Sequence, residues 1–240
     1  MRTSGFITSI FLLLIVWPSQ AQEADTVKTD KLKFVPSGIR VGMDLVSFGQ
    51  AVVKNGIKAF TQGDVRQWKF NADIDIHRYF LNFEYGKFNR QWNDPYFIYI
   101  NEGSFFKVGP DINFLQRDPD HSALFVGLRY AQASYSDNIV FDYTNDYWSD
   151  GAIFVENTTL KSSWYEITTG MKVRIYKFLW TGYSARFKFK VNDNHANNEL
   201  SPYWIPGYGL AEADSRWGFE YWLMFRIPFR KYSPVIPKEK

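Results

Sequence analysis

Polar and apolar residues alternate along much of this chain, most plainly from Arg216 to Phe229. The odd positions there read Trp217, Phe219, Tyr221, Leu223, Phe225, Ile227, Phe229, and the even ones Arg216, Gly218, Glu220, Trp222, Met224, Arg226, Pro228. A period of two over so long a run is that of a β-strand. Seven earlier segments carry the same pattern: Gly38 to Ser47, Val65 to Ile76, Tyr79 to Lys87, Gly103 to Phe114, Ala123 to Ser134, Ser163 to Ile175 and Leu179 to Val191. The connectors predicted between them vary in length. Phe48 to Asp64, Phe88 to Glu102, Tyr135 to Ser162 and Asn192 to Ser215 are long. His77-Arg78 and Tyr176 to Phe178 are short, and Leu115 to Ser122 is moderate. Long and short connectors in turn predict an all-β fold: an eight-stranded antiparallel up-and-down transmembrane β-barrel. It would have long extracellular loops, short periplasmic turns and both ends of the chain on the periplasmic side.

Alternation alone does not say which parity is inside, because a soluble barrel buries its apolar face and a membrane barrel exposes it. Glycine placement bears on the choice. Gly42, Gly86, Gly109, Gly127, Gly170, Gly182 and Gly218 all fall on the polar parity of their strands. A solvent-facing glycine in mid-strand weakens the strand and packs nothing. In a narrow barrel it makes room for large neighbours. The same parity carries Arg40, Lys69, Lys107, Arg129, Lys172, Arg174, Arg186, Lys188, Lys190 and Arg226. It also carries Asp44, Asp73, Asp75, Glu84, Asp111, Glu166 and Glu220. Ten bases and seven acids could fill a lumen as a salt-bridge network. On a lipid face each Arg or Lys would cost ~2–4 kcal/mol at the midplane. The alternative is the solvated face of a soluble sheet. Trp68 and Trp217 at the extracellular strand ends, with Tyr79 and Phe229 at the periplasmic ends, fit aromatic girdles.

The start of the chain adds an address. Arg2, the apolar run Phe6 to Trp17 and Ser19-Gln20-Ala21 have the form of a secretory signal peptide, residues 1–21. A periplasmic linker (22–37), the barrel (38–230) and a periplasmic tail (231–240) follow. With no cysteine, neither disulfides nor thiolate metal sites are available. A formal net charge of +3 is too even to indicate nucleic acid. Aromatics at 19% alongside a mean hydropathy of −0.32 suit a barrel wall in which every second residue is polar.

Candidate chemistry is sparse. His77 falls in a predicted tight turn. His121 adjoins Asp120 and Ser122, but neighbours in sequence rarely meet the geometry of nucleophile, base and orienter, and Asp118-Pro119-Asp120 reads as a turn. His195 shares the last long connector with Asp193 and Glu199, where a lipid-modifying enzyme could place its residues, yet no nucleophile accompanies it. Asp142, Asp146 and Asp150, with Asp137, Glu156 and Lys161, make the longest connector acidic. A calcium loop would need a tighter oxygen cluster and a sharp glycine turn, and bridging to anionic lipopolysaccharide is the other reading. Trp92, Tyr96, Tyr99, Tyr143, Tyr147, Trp148, Tyr203, Trp204 and Tyr208 suit either recognition of a sugar or protein, or packing onto the rim. No catalytic, cofactor-binding or metal-binding residue is assigned, and no cofactor is expected.

Three short stretches carry a family resemblance: Gly103-Ser104-Phe105-Phe106-Lys107-Val108-Gly109, Val126-Gly127-Leu128-Arg129-Tyr130 and Ile205-Pro206-Gly207-Tyr208. Through their order and spacing, residues 38–230 resemble an uncharacterised family (a domain of unknown function) of single-domain outer-membrane β-barrels of Gram-negative bacteria. More distantly the architecture is similar to OmpX-like eight-strand barrels. The resemblance implies location in the cell outer membrane, contact with its lipid and lipopolysaccharide, and passage through the barrel insertion machinery. It implies no activity and no functional residues. Such barrels commonly end on an aromatic residue, whereas here Phe229 is followed by the basic stretch Arg230 to Lys240. The expected role is structural, or interaction with a surface protein or glycan through the loops. The alternatives are a narrow pore for ions or small solutes, an outer-leaflet lipid-modifying enzyme and a soluble periplasmic ligand-binding barrel.

Overall fold

The computed structural model describes residues 36–46, 65–76, 78–115, 122–143, 151–194 and 201–229. The chain forms β1 (Gly38–Asp44), β2 (Val65–Ile76), β3 (Tyr79–Asn93), β4 (Phe97–Asn113), β5 (Ala123–Tyr143), β6 (Gly151–Arg174), β7 (Leu179–Asn194), β8 (Trp204–Ile205), β9 (Gly209–Leu210) and β10 (Ser215–Pro228). Each of β1 to β7 pairs antiparallel with its sequence neighbours, β10 pairs with β7, and β10 returns to β1 to close an eight-stranded barrel. The closing seam runs from Gly38 opposite Pro228 to Asp44 opposite Trp222. The pair β8–β9 is a separate two-stranded hairpin in the connection between β7 and β10. The end of the barrel holding Gly38, Ile76, Tyr79 and Pro228 is called the near end below, and the other the far end.

All eight predicted strands are present, but four run well past their expected limits at the far end. The connector expected from Phe88 to Glu102 is mostly hairpin, with Asn93 opposite Ile98. Its turn is held by Asp94, whose Oδ1 accepts from the Tyr96 amide at 3.2 Å, the local side-chain bond that makes aspartate a turn residue. The expected loop Tyr135 to Ser162 is likewise drawn into β5 and β6, paired out to Tyr143 opposite Gly151. The register slips between Tyr135 and Asp137, where Thr159 takes a left-handed φ of 63° and β6 absorbs one extra residue as a bulge.

The polar parity points inward. Arg40, Lys69, Asp73, Glu84, Lys107, Asp111, Arg129, Glu166, Lys172, Arg186 and Glu220 are buried, while Val41, Phe70, Leu81, Phe83, Val126, Leu128, Ile167 and Phe225 are exposed on the outer wall. The glycines have the packing role anticipated for them, in a specific form: they stand opposite large inward side chains on the adjacent strand. Gly42 faces Met224, Gly86 faces Phe105, Gly170 faces Phe125 and Gly182 faces Trp222. A Cβ built on Gly86 would lie 2.3 Å from the Phe105 ring, and one on Gly42 would lie 2.4 Å from Met224 Cγ.

Candidate functional site

Six acids and six bases, drawn from all eight strands of the barrel, meet in the middle of the lumen as one connected network. Asp44 accepts from Lys69 (2.7 Å), whose Nζ also reaches Glu220 (2.9 Å). Glu220 pairs with Arg186, which forks onto both oxygens of Glu84 at 2.8 and 2.7 Å and reaches Glu166 at 3.1 Å. Lys107 lies 2.9 Å from Glu166. Arg129 bridges Glu84 to Asp111, donating to both Asp111 oxygens at 3.1 and 2.9 Å. Lys172 spans Asp111 (3.9 Å) and Asp73 (2.8 Å), and Arg40 completes the chain on Asp73 at 2.7 Å. No side chain of the twelve is more than 9% exposed. Unpaired, each of these ions would carry a desolvation penalty of several kcal/mol (~). Equal numbers, with more than one ionic partner for most of them, make the arrangement tolerable.

Three of the seventeen inward charges anticipated from sequence exceed this balance, and their placement explains them. Lys188 donates to the Gly207 and Tyr208 carbonyls at 2.7 and 3.1 Å, and Lys190 to the Ala211 carbonyl at 2.5 Å. Arg174 is half-buried near the opposite rim. The last pair, Arg226 with Asp75 at 3.3 Å, lies at the near end.

Apolar layers bound the network on both sides. Towards the far end, Phe105, Ala131, Ala133, Tyr135, Leu160 and Trp164 pack against Ile205, Tyr208 and Ala211. Residues 203–211 thereby cap the mouth. The cap is tied by Asn101 Nδ2 to the Trp204 carbonyl (2.9 Å), by the Tyr203 amide to Asp137 (2.6 Å) and by the two lysines. Trp164 links the layers, donating from Nε1 to Glu166 at 2.7 Å. At the near end Phe80, Phe125, Trp180, Trp222 and Met224 form the floor. Arg40 lies 4.4 Å from the Phe80 ring centre, and Lys172 lies 4.8 Å from that of Phe125. These cation–π contacts supply attraction the carboxylates alone do not. Beside Asn71, Asn82, Arg129 and Arg186 a space of about 10 Å³ remains, the size of one water. Among the described residues, the lumen between these layers is filled by side chains. Purified protein in a planar bilayer is therefore expected to give no stepwise conductance above the bare-bilayer baseline.

The aromatic residues of the expected loops divide. Tyr99 and Tyr208 are buried and Trp204 is half-buried, stacked on Phe88 at 6.2 Å, so these three pack the mouth. Trp92, Tyr96 and Tyr203 stay exposed. Asp137, counted among the acidic loop residues, is an inward strand residue and 5% exposed. It holds the cap, and no longer belongs to an acidic surface. Glu156 and Lys161 are exposed on β6. His77, His121, His195, Asp118, Pro119, Asp120, Asp146, Tyr147, Trp148, Asp150 and Glu199 lie outside the described residues, as do the signal-peptide stretch, most of the linker and the tail. The same holds for the side chains of Asp142, Tyr143 and Asp193. No cluster of three or more metal-ligating side chains occurs among the described residues. The apolar layers were missed from sequence because Phe105, Trp164, Trp180 and Trp222 sit on the charged parity. The glycines opposite several inward side chains were the available signal.

Fold and site define a class: an all-β chain of eight antiparallel up-and-down strands in a closed ring, its interior filled by side chains rather than open. Within it the chain belongs to the family described as Domain of unknown function (DUF6048), whose model matches residues 3–232. No curated protein matches the chain.

Proposed function

We propose that this chain is an outer-membrane β-barrel of a Gram-negative bacterium, with a structural or surface-interaction role exercised through its far end. One observation carries the reading: the outer wall is an apolar band without a charge. From Trp217 to Ile227 on β10 and from Tyr165 to Val173 on β6, the outward side chains are all uncharged. The only outward hydroxyls of threonine in this band, Thr169 and Thr181, donate to the Phe125 and Trp222 carbonyls at 3.2 Å each. Such bonding is what a medium without water demands of polar groups. Ten residue steps along β10, at ~3.3 Å each and tilted ~40°, span about 25 Å, the height of a membrane barrel's apolar band. On β3 and β5 the band is narrower, from Tyr79 to Tyr85 and from Leu124 to Tyr130, before Lys87 and Gln132 face outward. Trp68 and Tyr85 (5.7 Å), Tyr130 and Tyr165 (5.6 Å) and Phe187 and Trp217 (4.8 Å) form an aromatic belt towards the far end. Phe178 stacked on Phe225 at 6.2 Å belongs to the near-end belt.

In water the same wall would be an exposed apolar patch far beyond the few hundred Å² usual on soluble monomers. The soluble ligand-binding alternative requires the apolar parity inside, and the burial runs the other way. The filled lumen weighs against the pore. The test is fractionation. The protein is expected to stay with the outer membrane through a high-salt and an alkaline wash, and protease added to intact cells should cut between residues 143 and 151. Release by either wash would sink the proposal.

A further inference from the structure

On four adjacent strands the outer wall turns polar along a single cross-strand row. Lys87 on β3 stands opposite Ser104 on β4, Ser104 opposite Ser134 on β5, and Ser134 opposite Lys161 on β6. All four are on the outward parity of their strands. Both lysines and Ser134 are exposed, and Ser104 is half-buried. Below the row the same strands are aromatic, with Tyr85 on β3, Phe106 on β4, and Tyr130 opposite Tyr165 on β5 and β6. Lys87 is one outward position above Tyr85, whereas Lys161 is two above Tyr165, with Ser163 between. The row therefore climbs away from the apolar band as it passes from β3 to β6. On β7 the outward Phe187 and Phe189 are still apolar, so the change is local to this side of the barrel.

The two ends of the row carry its charge. Three strand spacings of ~4.8 Å separate Lys87 from Lys161, a span of about 14 Å. Neither lysine makes an ion pair among the described residues. The outward carboxylate next to the row, Glu102, accepts from the Asn89 side-chain amide. Two cations, hydroxyls between them and an apolar wall beneath call for an amphiphile with two anionic groups set well apart on a hydroxyl-rich head. A glycerophospholipid with one phosphate reaches only one of the lysines.

We propose that this row binds the head of an acylated disaccharide bearing a phosphate at each end, the chemistry that anchors lipopolysaccharide. One phosphate sits on Lys87 close to the band and the other on Lys161 further out. The sugar bonds to Ser104 and Ser134 between them, and the acyl chains run down over Tyr85, Phe106 and Tyr130. Lysine holds phosphate as a point charge without fixing its orientation. Once one end is held, the second contact forms within the complex. The inference rests on the outer-membrane reading, because the acyl chains need lipid around them.

Native mass spectrometry of the full chain, titrated in uncharged detergent, tests it. The probes are the acylated disaccharide bisphosphate, the same molecule with one phosphate removed, and phosphatidylglycerol. The bisphosphate should bind about threefold more tightly than the monophosphate, the scale of one exposed ion pair, and phosphatidylglycerol more weakly still. Lys87→Gln and Lys161→Gln should each bring the bisphosphate down to the level of the monophosphate, and the double variant should bind it about tenfold more weakly than the unmodified protein. Ser134→Glu keeps both lysines but sets a carboxylate in the middle of the row, and should weaken both disaccharides severalfold. Lys177→Gln, an exposed base in the turn after β6 at the near end, should change nothing. Equal binding of bisphosphate and monophosphate, or a preference that survives in the double variant, would overturn the site. So would an equal loss in Lys177→Gln. Phosphatidylglycerol binding as tightly as the bisphosphate would overturn the glycolipid assignment. All the substituted side chains point away from the lumen, so each variant should keep its folded band on a semi-native gel. Failure of the membrane reading shows separately, as release of the unmodified protein by the alkaline wash.

Discussion

Leu128→Arg is expected to destabilise the folded barrel by roughly 2–4 kcal/mol in lipid vesicles, measured as a fall in the urea midpoint of the band shift between folded and unfolded forms. Leu128 lies on the outer face of β5, paired across to Ile167, and is 54% exposed. In water, an arginine at so exposed a site would change stability by no more than about 0.5 kcal/mol either way. The same substitution therefore gives opposite answers in the two media. The control is on the same strand and face. Gln132→Arg stands above the Tyr130 belt, where an outward charge costs about 0–1 kcal/mol. A large effect at position 128 with little at position 132 is the pattern of an apolar slab with an edge. Equal, small effects at both would mean that the outer wall faces water, and the proposed location would fall.

How much of this was legible in the sequence follows from which forces act at each position. Between the belts a strand has two unlike faces, so alternation is strict, and segments such as Tyr79–Tyr85 or Leu124–Tyr130 can be read directly. Above the belt both faces of the extended hairpins meet similar surroundings. Residues such as Asn138-Ile139-Val140-Phe141 stop alternating cleanly, and those stretches pass for loops although they pair fully. A local signal was present at Asn93-Asp94-Pro95-Tyr96, a turn sequence between the aromatic pairs Phe88/Trp92 and Phe97/Tyr99. The inward charges were legible as a set, but their pairing was not. Lys69 meets Glu220 across 151 positions and Lys172 meets Asp73 across 99, separations that only barrel closure brings together.

Arg186→Leu should be the most damaging single change inside the barrel, about 3–5 kcal/mol, the cost of breaking a buried ion pair from one side. Arg186 touches Glu84, Glu166 and Glu220 and is 1% exposed, so leucine would take one cationic partner from three buried carboxylates. Glu84 and Glu220 would keep Arg129 and Lys69, and Glu166 would keep Lys107. The set as a whole would then carry one uncompensated negative charge. Arg186→Lys keeps the charge but not the fork onto Glu84, so it should fall between wild type and leucine. The two explanations of the loss, charge and shape, separate when a carboxylate is neutralised as well. Arg186→Leu combined with Glu84→Gln removes one charge of each sign and restores the balance. If balance holds the lumen together, the double variant should recover more than half of the lost urea midpoint, a coupling that double-mutant cycles measure directly. A double variant worse than either single change would mean that geometry at the Arg186–Glu84 fork, and not charge parity, organises the lumen.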